Sequence, residues 1–256
     1  MRIESAIQKL FGAAAARYAA SDYHAGGPDL AAMLLAVAPR GDERVLDVGS
    51  GAGHTALAFA PHVREVVGLD LTQAMLDEAR ALAVRRGIGN LRLERGDAMA
   101  HPFPDASFDL VTCRVCAHHF ERPERALQEA ARVLRPDGRL VLVDSVAPED
   151  PAQDTFLNAI ELLRDPSHVR DHSVSQWLRC LDAAGLPGEC RQVWRLAIDF
   201  DDWVVRMATP PQVVAVLRGM LADATDGVRS GLGVRSGEGA GFEIPIALFL
   251  ATRQQV

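Results

Sequence analysis

Residues 45–55 read VLDVGSGAGHT. A short apolar run bearing one acid, Asp47, passes straight into glycines at alternate positions, Gly49, Gly51 and Gly53. Glycine has no Cβ, so a ligand can approach such a backbone closely. An apolar run that ends in a glycine turn reads as a strand leading into a ligand-binding loop.

Working outward, the same strand–turn–helix grammar repeats. Residues 44–48 are the first strand, and 54–61 read as a helix closed by Pro61. REVVGLD (64–70) is the second strand, followed by Thr72 as candidate N-cap. Met75, Leu76, Ala79, Leu82 and Ala83 then fall on one helical stripe, stopped by Gly87 and Gly89. LRLER (91–95) and FDLVTC (108–113) are further strands. Pro123 opens a helix with a stripe of Ala126, Leu127, Ala130, Val133 and Leu134. PDG (136–138) turns the chain into the strand RLVLVD (139–144). Strands alternating with helices imply a parallel sheet covered on both faces. Ligands bind such sheets at the carboxyl ends of the strands, where Asp47, Asp70, Asp97, Arg114 and Asp144 fall.

The remainder is less regular. Residues 173–184 read as a helix with Ser173 or Ser175 as cap, and 191–200 and 242–252 read as strands. Between those strands, 201–241 holds one or two helices and the run GLGVRSGEGAGF, whose composition is that of a flexible linker. A lid over the site is the alternative reading of this insertion.

Bulk properties exclude several classes. The chain has 256 residues, 48% hydrophobic and 24% charged, with a net charge of −7. That acidic balance disfavours a nucleic-acid partner, which calls for clustered Lys and Arg. No apolar run reaches the roughly 18 residues of a membrane span, and the N-terminus lacks the order of a signal peptide, so the expected location is cytoplasmic. Nothing in the sequence requires a second subunit. Cys113 and Cys116 form a lone C-x-x-C near His118 and His119. Without a second pair at ligand spacing it reads as buried thiol rather than a metal site.

The loop and its acids then narrow the ligand. Asp70 lies 21 residues after Gly49, where an acid suits a ribose diol. The dinucleotide fingerprint G-x-G-x-x-G is absent, because His54 stands where its third glycine would be. Asp47 would repel a pyrophosphate but tolerates an ammonium or sulfonium. An NAD(P)-dependent oxidoreductase is therefore the weaker alternative.

With VLDVGSGAG, VVGLD, GDAMAHPFPDASFDLV and LRPDGRLVLVD in this order over about residues 40–150, the chain resembles the class I S-adenosylmethionine-dependent methyltransferases. It is most similar to the small-molecule branch typified by ubiquinone and menaquinone biosynthesis. The resemblance implies an α/β, Rossmann-like three-layer sandwich with seven mostly parallel strands, the last antiparallel. It implies a single domain over 1–256, with a helical cap at 1–39, a cofactor core at 40–150 and an acceptor-side half at 151–256. It implies S-adenosylmethionine as cofactor and S-adenosylhomocysteine as product. Asp47 would orient the amino-acid end, with Gly49, Ser50, Gly51 and Gly53 packed against the cofactor. Asp70 would hold the ribose, Asp97 and Ala98 the adenine edge, and Leu71 and Met99 its faces. Met75 and Arg114 complete the wall, and Tyr18 and His24 would close over it from the N-terminus.

Methyl transfer needs a base only when the acceptor must lose a proton. RVCAHHFER (114–122) puts His118 and His119 past the fourth strand, and an imidazole is the obvious base near neutral pH. RDPSHVRDHS (164–173) offers His168 and Arg170, with His119, as acceptor-binding residues, since guanidinium pairs with carboxylate or phosphate. Trp177, Phe200 and Trp203 read as core. The position of an N-P-P-Y motif reads TCRV, so base or amide nitrogen is disfavoured as acceptor. A small metabolite, polyketide or quinone-like ring is expected, methylated by in-line displacement. A protein that binds the cofactor without catalysis would carry the same binding motifs.

Overall fold

A computed structural model describes residues 3–21 and 25–254. Helix α1 (Ile3–Ala19) and α2 (Pro28–Val37) precede β1 (Arg44–Val48), α3 (His54–Phe59), β2 (Glu65–Asp70), α4 (Gln73–Arg85) and β3 (Leu91–Arg95). Then come β4 (Phe108–Arg114), α5 (Pro123–Val133), β5 (Leu134–Ser145), α6 (Pro151–Arg164) and α7 (Val174–Ala183). The chain ends with β6 (Gly188–Asp199), α8 (Phe200–Arg206), α9 (Pro211–Ala222), α10 (Asp226–Gly231) and β7 (Gly241–Thr252). Among the described residues no helix is long and apolar enough to cross a membrane.

The seven strands form one sheet in the order β3-β2-β1-β4-β5-β7-β6. β1 to β5 run parallel, and β7 pairs antiparallel with both β5 and β6. The expected fold, including the antiparallel last strand, is the observed one. Successive strand residues face opposite sides. Val45, Val66 and Leu110 join the core on one face, and Leu46, Val67 and Val111 the core on the other. Both faces are therefore apolar, as a sheet covered by helices on each side requires.

Strand order reverses between β1 and β4, which leaves a crevice at their carboxyl ends. Asp47 lies in register with Gly68 on β2 and Thr112 on β4, at the centre of the sheet.

Two local expectations change. The turn at 136–138 is a bulge inside β5: Phe108 pairs with Leu134, Leu110 pairs with Arg139, and Asp137 takes φ 62°. The glycine-rich run is not a flexible linker. Leu232 and Val234 are buried in the core beside Leu217, Leu221 and Val228 of α9 and α10. Its glycines set turns, with φ of 58° at Gly233, 80° at Gly237 and 69° at Gly239. Apolar residues spaced between those turns outweigh the linker-like composition. At α7, Ser173 rather than Ser175 is the cap, in a capping box with Gln176.

Candidate active site

The loop after β1 is shaped by contacts that exclude side chains. At Gly49, with φ 66°, a Cβ would stand 2.1 Å from Cys116 Sγ. At Gly53 it would stand 2.8 Å from Ala79 Cβ on α4. Asp70 closes the loop. Its Oδ2 accepts the Gly51 N–H at 2.8 Å and its Oδ1 accepts the Thr72 N–H at 2.8 Å. Thr72 is the N-cap residue of α4, as expected, but its side chain makes no cap hydrogen bond.

Around this loop lies a cleft of about 1080 Å³, including its open mouth. Of the expected cofactor residues, Gly49, Ser50, Gly51, Asp70, Leu71 and Met75 line it. So do Asp97, Ala98, Met99, Arg114 and Tyr18. Gly53 and Asp47 lie behind the wall. Asp47 is 1% exposed, accepts the Thr112 hydroxyl at 2.7 Å, and has no partner for Oδ2 among the described residues. Burial pushes its carboxyl up to about 6. His24 lies outside the described residues. Arg114 forms a buried ion pair with Asp29 of α2.

Helix α1 lies over the cleft, and beside the expected Tyr18 it brings Ile7, Gln8 and Phe11, which sequence reasoning did not name. Ile7, Phe11 and Tyr18 line it, and Gln8 Nε2 donates to the Leu71 carbonyl at 3.3 Å. His54, noted only as the missing glycine, donates from Nε2 to the Tyr18 carbonyl at 3.0 Å and so tethers this roof. Only a long-range contact carries that role, so no local signal marks it.

A second chamber, of about 990 Å³, opens beside the cleft. Phe11, Tyr18, Val115 and His119 line both. Val115 holds φ 51°, unusual for a β-branched residue, with its N–H bound to the Val143 carbonyl at 2.8 Å. The chamber's far side is apolar (Leu196, Ile198, Ile244 and Ile246), with Trp203 alongside.

His118, His119 and His168 line this chamber with different charge states. His118 Nδ1 lies 2.6 Å from Asp144 Oδ1. Asp144 also accepts backbone N–H groups of Cys116, His118 and Ser145. Burial pulls the His118 pKa down, but the Asp144 carboxylate overrides it and holds the ring at about 10, an imidazolium. His119 donates from Nδ1 to the Ser167 carbonyl at 2.9 Å, which leaves the lone pair on Nε2. Burial, then the charge on His118, push it down to about 4, so it is neutral. His168, with Nε2 at 3.2 Å from Asn158 Oδ1, is likewise lowered to about 3 by burial and the neighbouring histidines.

Arg170 is not brought to the site. Its guanidinium pairs with Asp154 at 2.5 Å and lines neither cavity. Arg164, of the same cluster of candidate anion-holding residues, lines the chamber instead, as does Arg206, which sequence reasoning did not weigh as a ligand. Trp203, read as core with a pocket wall as the alternative, is buried and also forms part of that wall.

Residues in the cleft fit S-adenosylmethionine. The unpartnered Asp47 oxygen behind the loop suits the cofactor's cationic amino-acid end, and Asp70 presents a carboxylate to a diol. At Gly51 a Cβ would meet no atom within 4 Å and would occupy the space left for a ligand.

Comparison with known proteins agrees. A family description of a methyltransferase domain matches residues 46–142. The uncharacterized methyltransferase YcgJ of Bacillus subtilis is 48% identical over 186 residues, covering 73% of this chain and 74% of that protein. Its crystal structure superposes with a TM-score of 0.86 at 41% identity, covering 89% of this chain and 98% of that one. The demethylmenaquinone methyltransferase of Deinococcus radiodurans is 46% identical over 121 residues, which is 46% of this chain and 48% of that protein. The glycine loop, the strand order and these similarities agree, and the chain belongs to the class I S-adenosylmethionine-dependent methyltransferases.

Proposed function

We propose that this enzyme methylates a small molecule held in the chamber between α1, α6, α8 and the β6–β7 floor, by direct in-line displacement. The observation that carries the reading is the pair of adjoining cavities that share Phe11, Tyr18, Val115 and His119 as common wall. One has the cofactor motifs, the other an apolar floor and ionisable side chains. When bound, S-adenosylmethionine supplies an electrophilic methyl carbon on a charged sulfur.

The protein's own contribution is alignment and exclusion of water. Asp70 and the loop backbone fix the cofactor's ribose side, and Asp97 and Met99 its adenine side. His119, neutral with its lone pair on Nε2 and present on both walls, is the proton acceptor for a hydroxyl or activated carbon. His118, charged and anchored by Asp144, is a hydrogen-bond donor to oxygen on the acceptor rather than a base. A neutral imidazole and an imidazolium side by side, with ring centroids 4.1 Å apart, divide the two tasks that sequence reasoning left shared.

Incubation with S-adenosylmethionine and a panel of phenols, enols, quinols and amines tests this. S-adenosylhomocysteine should accumulate with an oxygen or carbon acceptor. His119→Gln should lower kcat by about 10²–10⁴-fold, the usual worth of a general base, with S-adenosylhomocysteine affinity changed far less. Full kcat in His119→Gln removes the base assignment. Binding of S-adenosylhomocysteine without turnover across the panel supports the non-catalytic alternative.

A further inference from the structure

The acceptor chamber is asymmetric in a way that selects a class of molecule. His119 lines both the chamber and the cofactor cleft, and the His118 ring lies against it, with centroids 4.1 Å apart. Arg164 and Arg206 line the chamber but not the cleft, so they lie away from the shared wall. Arg164 is largely committed: its Nε donates to the Trp203 carbonyl at 3.2 Å, Nη1 reaches Glu161 at 3.4 Å, and the guanidinium sits over the Trp203 ring at 5.1 Å. Arg206, at the end of α8, has no hydrogen bond and no ion pair among the described residues. The other charged groups facing the chamber are Arg17, Glu161 and Asp165. Glu161 is engaged by Arg164, and Asp165 accepts from the Ser167 N–H and hydroxyl. The Tyr18 hydroxyl donates to Met207 Sδ at 3.8 Å. Arg17 and Arg206, both solvent-exposed, are thus the guanidiniums left over beside a floor of Leu196, Ile198, Ile244 and Ile246, and Arg206 is the one whose charge also faces Arg164.

We propose that the acceptor is an apolar molecule with one anionic group, a carboxylate or phosphate monoester, seated with that anion on Arg206 and its reacting atom at His119. This rests on the methyltransferase reading and adds the substrate class. Guanidinium presents two parallel N–H donors that match either anion. Burial and then the adjacent Arg164 charge lower the Arg206 pKa, against the opposing pull of Tyr18, Glu161 and Asp202. An anion there relieves repulsion between the two guanidiniums, while the ring or chain attached to it covers the apolar floor.

Binding to the protein saturated with S-adenosylhomocysteine tests the proposal without turnover. The probes are 2-naphthoate, cinnamate and 2-naphthyl phosphate, with 2-naphthamide and cinnamamide as uncharged matches, measured by calorimetry. At least one acid should bind about tenfold or more tightly than its amide, the scale of a lost charge-assisted hydrogen bond. Arg206→Gln should remove most of that preference and Arg206→Lys should keep part of it, both with S-adenosylhomocysteine affinity unchanged. The tighter of naphthoate and naphthyl phosphate then assigns the anion. No preference for acids anywhere in the set, including no binding at all, overturns the proposal, and so does a preference that survives Arg206→Gln. If the wild-type protein fails to bind S-adenosylhomocysteine, the methyltransferase reading itself falls. If it binds and no acid is preferred, only the substrate class falls.

Discussion

Replacing Asp144 with asparagine tests the charge arrangement that divides the two histidines. Asp144 is fully buried, and the facing His118 side chain is 15% exposed. Burial alone would hold His118 below an ordinary 6.5, yet the carboxylate lifts it to about 10. That gap corresponds to about 5 kcal/mol in favour of the imidazolium, at 1.36 kcal/mol per tenfold step. Asparagine removes the charge, so burial governs and His118 should fall below 6.5 and be neutral at pH 8. His119 and His168 should move the other way, because the His118 charge helps to hold them down at about 4 and about 3. Imidazole NMR of isotopically labelled protein from pH 5 to 9 reads all three rings. Stability follows with a defined sign. The folded His118 value lies above the unfolded one, so its contribution is complete below about pH 6.5 and is lost as pH rises through about 10. The Asp144 value is depressed, so its contribution is present above about 3.8 and is lost as pH falls through the lower folded value. The melting-temperature gap between wild type and Asp144→Asn should therefore be widest at pH 4–6.5 and narrow toward pH 10. A wild-type His118 that titrates near 6.5, or a gap that widens above pH 8, refutes the reasoning.

Three further outcomes are expected. Asp70→Ala should weaken S-adenosylhomocysteine binding by about 1–3 kcal/mol, the range for a hydrogen bond to a charged group; unchanged affinity in calorimetry means the ribose lies elsewhere. Asp47, pushed up to about 6 by burial, takes a proton as pH falls below that value, so S-adenosylmethionine affinity should decline from pH 7.5 to pH 5. Asp47→Asn should flatten that slope, and an equal slope in the variant removes Asp47 as its cause. Gly49→Ala should destabilise the fold by about 1–3 kcal/mol, the cost of forcing atoms into filled space, since its Cβ would fall 2.1 Å from Cys116 Sγ. Cys116→Gly in the same chain should recover part of the loss in denaturant unfolding, and no recovery makes backbone strain at Gly49 the dominant cost.

The cofactor half was legible because its signals are local. In VLDVGSGAGHT the strand, the turn and the helix start lie within eleven residues, and VVGLD places Asp70 one strand away. Short-range patterns of this kind reflect backbone geometry and burial, which sequence spacing reports directly. Acceptor-side contacts offer no such handle. His118 meets Asp144 across 26 residues and His119 meets Ser167 across 48. Arg164 and Arg170 look equivalent in RDPSHVRDHS, yet one closes α6 against Trp203 and the other follows a turn and meets Asp154. Nothing periodic separates them, so only the packing of α6 against α8 decides which guanidinium faces the chamber. The family match ends at residue 142, before both. Strand ends of the common sheet therefore explain why the methyl donor can be read from sequence. In the function proposed above the acceptor meets α6, α8 and the β6–β7 floor, where Arg164 at the end of α6 and Arg206 at the end of α8 line the chamber while Arg170, in the loop beyond α6, is held in an ion pair with Asp154.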